Sequence, residues 1–145
     1  MPAWVQQGYE EYAKRLPRDC ELILKEIAPE KRTKNSDIAR IIKNESERML
    51  LAAPVGAHAV ALDSAGKHWT TLELSQTLQR WRVGGQAVAM LIGGPDGLSD
   101  ALKQSARETW SLSKLTFPHP LVRILVAEQL YRAWSLLNHH PYHRA

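Results

Sequence analysis

Residues 87–92, Ala-Val-Ala-Met-Leu-Ile, form an unbroken apolar run that leads straight into Gly93-Gly94-Pro95-Asp96-Gly97 and then Leu98-Ser99. A short apolar run without alternation has the length of a strand buried on both faces, which is the habit of parallel sheets. Ser99 has the chemistry of a helix N-cap, so the glycines occupy a strand-to-helix crossing. Glycine allows close backbone approach there and Pro95 fixes the turn. Such a crossing commits the chain to an α/β architecture if other strands alternate with helices.

The remaining sequence supplies that alternation. Trp4, Val5, Gly8, Tyr9, Tyr12, Ala13 and Leu16 recur at helical spacing, and Pro17 closes the run. Residues 21–27 read as a short strand and residues 28–35 as a polar, basic connector. Asn35 or Ser36 caps a helix whose stripe of Ile38, Ile41, Ile42 and Met49 is interrupted by one charge, Glu45, and residues 53–56 end it. Residues 57–62 make a second buried strand, closed by residues 63–66. Thr70 and Glu73 have the spacing of a capping box, predicting a helix through Trp81 that breaks at Gly84-Gly85. Residues 100–110 predict a helix and residues 111–117 an extended segment. Pro118-His119-Pro120 predicts a helix-free turn, and residues 121–137 a long helix, apolar nearly all round, on which Glu128 and Arg132 pair one turn apart. The expectation is one domain over residues 1–145, a mostly parallel sheet flanked by helices, with a second subunit covering part of the last helix. In such sheets ligands gather at the carboxyl ends of the strands, here the loops after Leu62, Ile92 and Phe117.

Composition narrows the function classes. With 145 residues, 44% of them hydrophobic, one well-packed core is the natural size. No apolar run approaches the roughly 20 residues that span a bilayer, and the N-terminus has no secretory signal pattern. Cys20 is the single cysteine, which excludes an internal disulfide, so a soluble cytoplasmic protein is expected. The net charge of +4 admits an anionic partner such as nucleic acid without requiring one.

The loops restrict the chemistry further. Gly93, Gly94 and Gly97 do not spell the dinucleotide fingerprint, and no Gly-Lys-Ser/Thr follows them as a phosphate loop requires. Residues 113–118, entering so apolar a helix, are expected in the interior with backbone groups that a ligand such as adenine can satisfy. His119 reads as a structural hydrogen-bonding residue. His139, His140 and His143 lack the cysteines or acids that would complete a coordination sphere, so no metal is expected. Lys31, Arg32 and Lys34 suit contacts to RNA phosphates, with a solvated loop as the competing reading.

Taken together, "LIGGPDGLS", "WSLSKLTFPHPLVRILVAEQLYRAWS", "KRTKN" and the ending "HPYHR" closely resemble the RlmH family of SPOUT methyltransferases, along essentially the whole chain. The resemblance implies an α/β-knot, whose C-terminal part is threaded through a loop against the usual rule of unknotted topology. It also implies a homodimer. S-adenosyl-L-methionine would lie in the knot, held by Leu62, Gly94, Ser113, Lys114, Leu115, Thr116, Phe117 and Pro118. The substrate implied is a pseudouridine of 23S rRNA in the assembled ribosome, in a hairpin loop at the subunit interface, methylated at N3. Tyr142, His143 and Arg144 would reach the active site from the partner subunit, Tyr142 stacking on a base, His143 accepting a proton and Arg144 holding a phosphate. Family members begin with an apolar strand of about ten residues, whereas this chain opens on Met1-Pro2-Ala3-Trp4, so the sheet is expected to lack that strand. A late-assigned start or a shortened chain would account for it. Two alternatives remain open: an enzyme of the same fold acting on another RNA such as tRNA, and a non-catalytic RNA-binding ribosome-assembly factor.

Overall fold

A computed structural model of the chain describes residues 1–142. Their elements are α1 (Ala3–Ala13), a 3-10 turn (Arg18–Cys20), α2 (Ile38–Ala52), β1 (His58–His68), α3 (Thr71–Gly84), β2 (Val88–Leu91), α4 (Asp100–Ser105), β3 (Glu108–Ser111) and α5 (His119–Leu137). The chain divides into two compact units, each assembled from separated segments. One comprises Met1–Ile23, Trp69–Gly85 and the chain from Phe117; the other comprises Leu24–His68 and Gln86–Thr116.

The first unit is helical. α1 and α3 both pack on α5, whose Val126, Ala127, Leu130, Tyr131 and Ala133 are buried. Gly8 lets α1 come close: a β-carbon built there would stand 2.7 Å from Cδ1 of Ile124. The capping box predicted at the start of α3 is present, with the Glu73 amide donating to Thr70 Oγ1 (3.1 Å) and the Thr70 amide to the Glu73 carboxylate (3.0 Å). Gly85 ends that helix in the left-handed conformation, φ 73°. Trp81 is buried, edge-on to Trp69 with ring centroids 6.0 Å apart.

The second unit holds a parallel sheet in the order β2-β1-β3. On one face Ala61, Leu91, Leu98 and Leu102 form a core, joined by Met49 of α2, Ala59, Ala89 and Ala106. Side chains alternate across a strand, so Val60, fully buried, faces the other side. At the amino edge His58 and Glu108 meet across β1 and β3 at 2.6 Å. β1 carries a large irregularity: Leu62 and Lys67 both pair with Trp110, so residues 63–66 bulge out rather than end the strand as their turn-like sequence implies. Gly66 sits where β1 rejoins β3; a β-carbon there would lie 2.7 Å from the Thr109 carbonyl group and 2.8 Å from the Trp110 amide nitrogen.

Several sequence expectations are corrected. Residues 21–27 form no strand, because no neighbouring strand supplies a ladder. The Leu22 carbonyl instead accepts from the Tyr9 hydroxyl at 3.4 Å. The cap of α2 is Asp37, which accepts from the Arg40 amide, because Ser36 is spent on the turn closing Thr33. The helix expected over residues 100–110 stops at Ser105, and the strand β3 begins within that span at Glu108, sharing only Ser111 with the extended segment expected over residues 111–117. The β-branched and aromatic Thr109 and Trp110 favour extended backbone. α5 begins inside the Pro-His-Pro motif, since proline in a first turn gives up only an amide that has no helical acceptor. β2 is an edge strand with Val88, Ala89 and Met90 only part-buried, so burial on both faces belongs to central β1 instead.

The close approach at Gly66 makes a specific demand. Gly66→Ala is expected to lower stability by about 2 kcal/mol, a few degrees in Tm, because backbone atoms cannot step aside. Gly84→Ala, with nothing near its added carbon, is expected to be neutral or slightly stabilising. Thermal unfolding of both variants checks the contrast.

Candidate functional site

Parallel pairing brings the carboxyl ends of the strands to one edge. Ala61 pairs with Leu91, the last residue of β2, and Leu62 with Trp110, one residue before the end of β3. The loop of residues 92–99 and the segment of residues 112–116 therefore leave the sheet on either side of β1, beside Leu62. The third loop expected after Phe117 instead follows Ser111, because β3 ends there.

The first loop is tightly folded. The Gly97 amide donates to the Gly94 carbonyl at 3.0 Å, and Gly97 has φ 81°, a left-handed conformation that disfavours side chains. A β-carbon on Gly93 would meet the Gly97 main chain at 2.6 Å. Gly94 differs: its β-carbon would make only ordinary contacts, 3.8 Å from Glu45 Oε1 and 4.0 Å from Arg32 Nη2. Neighbouring main chain thus excludes a side chain at Gly93 and conformation disfavours one at Gly97, while neither forbids one at Gly94. Ser99 caps α4 as predicted, accepting from the Leu102 amide at 3.1 Å.

Residues 112–116 are not interior. Lys114, Leu115, Thr116 and Pro118 are exposed, Leu115 to 70%. Their backbone needs are met locally: buried Ser111 donates its hydroxyl to the Ser113 carbonyl at 2.9 Å, and Ser113 Oγ accepts from the Leu115 amide at 3.0 Å. Leu62, Gly94, Ser113, Lys114, Leu115 and Thr116 all belong to the sheet unit, whereas Phe117 and Pro118 open the helical one, Pro118 as the N-cap of α5.

Of the basic connector, Lys31 and Lys34 are exposed, whereas Arg32 is engaged. Its guanidinium donates to both carboxylate oxygens of Glu45 (2.9 and 3.0 Å), to the Glu30 carbonyl (3.2 Å) and, through Nε, to Asp96 Oδ2 (2.7 Å). Glu45 also accepts from the Glu30 amide at 2.9 Å. Burial opposes charge on Glu45, but the Arg32 guanidinium and the Glu30 amide outweigh it and hold the carboxyl below its ordinary value. Next to it, buried Ser46 accepts from the Ser99 amide at 3.0 Å. Glu45, Ser46, Asp96 and Ser111 were missed as site residues by sequence reasoning. The charge interrupting the apolar stripe of α2 was the one visible signal.

Tyr142 lies in the helical unit, and His143 and Arg144 fall outside the described residues. The Tyr142 hydroxyl donates to Glu128 Oε1 at 2.9 Å, and the Glu128–Arg132 pair expected on α5 is present, Nε to Oε1 at 2.9 Å. The Arg132 guanidinium stands 5.1 Å from the Tyr142 ring centre, and Tyr131 lies 4.6 Å from it. Burial first, then the hydrogen bond to Glu128, pushes the phenol up to about 12. His119 begins α5 and has a polar or ring partner.

With this geometry in view, the comparisons become informative. The model of the family described as "Predicted SPOUT methyltransferase" matches residues 1–143. The chain belongs to the SPOUT methyltransferase family. Among its relatives is the ribosomal RNA large subunit methyltransferase H of Methylococcus capsulatus, 64% identical over 144 residues, covering 99% of this chain and 93% of that protein. The protein of the same name from Hahella chejuensis is 57% identical over 144 residues, 99% and 92% of the two chains. The resemblance read from the motifs is thereby borne out. In this SPOUT methyltransferase no described helix is long and apolar enough to cross a membrane. Nor do three or more His, Cys, Asp or Glu side chains gather as metal ligands among the described residues.

The depressed Glu45 carboxyl carries a pH signature. A group whose pKa is lower in the folded chain contributes full stability above its unfolded value, ordinarily 4.5, and loses it as pH falls through the folded value. Glu45→Gln is expected to cost about 2 kcal/mol at neutral pH. The gap to wild type should close as the pH falls below 4.5. Unfolding curves recorded from pH 7 downward check both.

Proposed function

We propose that this SPOUT methyltransferase uses S-adenosyl-L-methionine to methylate N3 of a pseudouridine in 23S rRNA. On this reading it acts on assembled ribosomes, as a cytoplasmic homodimer with a C-terminal trefoil knot and a single domain. The observation that carries the proposal is the 64% identity, over 99% of the chain, to a protein named for methylating large-subunit ribosomal RNA.

The residues present fit the methyl donor. Within the loop of residues 93–97, Gly94 is the glycine whose bareness neither its backbone conformation nor a close intramolecular contact requires, which leaves room there for a ligand. Exposed Leu115 offers an apolar surface beside main-chain groups ordered by Ser111 and Ser113. Leu62, Gly94, Ser113, Lys114, Leu115, Thr116, Phe117 and Pro118 would hold the donor, which supplies a methyl group already activated on a sulfonium. The work left to the protein is to align an in-line attack and accept the proton that N3 must lose.

Within the tail, Tyr142 is poorly suited to take that proton, since its phenol already donates to Glu128 and is neutral at physiological pH. Arg144 stays protonated. His143 is left as the acceptor, with Arg144 holding a phosphate and Tyr142 positioning the base. Lys31 and Lys34 would meet RNA phosphates from the exposed connector, and Arg32 stands behind them.

Mass spectrometry of ribosomal RNA from cells lacking the gene tests the function. The expected result is one lost methyl on a hairpin pseudouridine, restored when purified protein and donor are added to mutant ribosomes. Methylation of tRNA instead, or of neither RNA, overturns it. At the donor site, Gly94→Val is expected to abolish detectable binding of S-adenosylhomocysteine in isothermal titration while the chain remains folded by circular dichroism. Unchanged affinity would remove Gly94 from the site.

A further inference from the structure

The loop of residues 93–97, Gly-Gly-Pro-Asp-Gly, has almost no side chain with which to pack, so beyond its own Gly97–Gly94 hydrogen bond it is held in place through polar links from outside. Asp96 supplies one link and the Ser99 amide, just beyond the loop, the other. Both lead to consecutive residues of α2: Asp96 through Arg32 to Glu45, and Ser99 directly to Ser46. Glu45 and Ser46 are 8% and 3% exposed, so both anchors sit in the packed part of the sheet unit rather than in solvent.

We propose that Arg32 is a positioning residue for methyl-donor binding, a strut that fixes the glycine loop against α2. The inference rests on the reading of Gly94 as part of the donor site and assigns Arg32 to that site rather than to RNA. A guanidinium is required because its planar fork engages Glu45 along one edge while Nε, at 2.7 Å, takes Asp96. A lysine ammonium is a single point of charge and cannot bridge both carboxylates in this geometry. Bound to two acids and the Glu30 carbonyl, Arg32 has its hydrogen-bonding capacity largely committed before any phosphate arrives.

The test uses the full chain with Arg32→Lys, Asp96→Asn and the double variant, and Lys34→Ala as a neighbour from the same connector. Hydrogen exchange without ligand reads loop order over residues 93–99, and isothermal titration with S-adenosylhomocysteine reads donor-site affinity. Either single variant is expected to speed exchange in the loop and weaken product binding roughly tenfold, the size of one charge-assisted hydrogen bond. The double variant should bind no worse than the weaker single, because both changes cut the same link. Lys34→Ala should leave exchange and product affinity unchanged. If wild type binds product and Arg32→Lys binds it equally while losing affinity and salt dependence for the RNA hairpin, Arg32 is a phosphate contact and the proposal falls. If wild type binds no product, the donor reading of Gly94 falls, and the positioning role with it.

Discussion

A carboxylate taken out of water must be neutralised where it stands, and Glu45 poses that demand in the middle of α2. Its burial is tolerable because a guanidinium and a backbone amide arrive from residues 30–32, a segment without helix or strand of its own. The demand runs in both directions. The buried acid orders the connector, and the connector, once ordered, delivers Arg32 to Asp96. A single desolvated charge thus ties α2 and the basic connector that precedes it to the glycine loop, whose Asp96 lies 64 residues beyond Arg32. A hydrophobic residue at position 45 would pack at least as well and would leave the loop with the Ser99–Ser46 link alone.

The glycines show why identical residues need separate explanations. Gly66 and Gly93 are bare because main chain passes within 2.7 and 2.6 Å of where a β-carbon would sit. Gly8 serves the helical unit in the same way against a side chain, and Gly85 and Gly97 adopt left-handed backbone. Removing these from consideration isolates Gly94 within the loop. A turn alone accounts for Gly93 and Gly97 but not for Gly94.

Much of this was legible in the sequence. The capping box at Thr70, the N-cap at Ser99, the pair on α5 and the parallel sheet all follow from local spacing or from unbroken apolar runs, signals short enough to survive without tertiary context. What was lost depended on partners. Residues 21–27 carry strand-like composition, but a strand exists only if another lies beside it. The extent of β1 was hidden because Asp63-Ser64-Ala65-Gly66 has turn chemistry, and whether such a stretch ends a strand or bulges from it is decided by the neighbouring β3. Pro-His-Pro was misread because proline's ban on helix does not extend to a first turn. At the site, motif resemblance named the residues that would touch a ligand but was silent on Glu45 and Ser46, which act at one remove.

On the proposed reaction, the chain end raises the remaining chemical question, how a proton leaves N3 on a protein with few groups to receive it. Tyr142 is enclosed by Arg132, Tyr131 and Arg15, whose guanidinium lies 5.7 Å from its ring centre. The Arg132 cation favours the phenolate, yet the phenol is pushed upward, because burial and the anionic Glu128 outweigh it. The Glu128 carboxylate therefore has two functions. It neutralises Arg132, and it keeps Tyr142 a donor by accepting its proton-bearing oxygen at 2.9 Å. On the proposed reaction, a tyrosine held protonated in this way is left to orient a base, and a separate group must accept the proton.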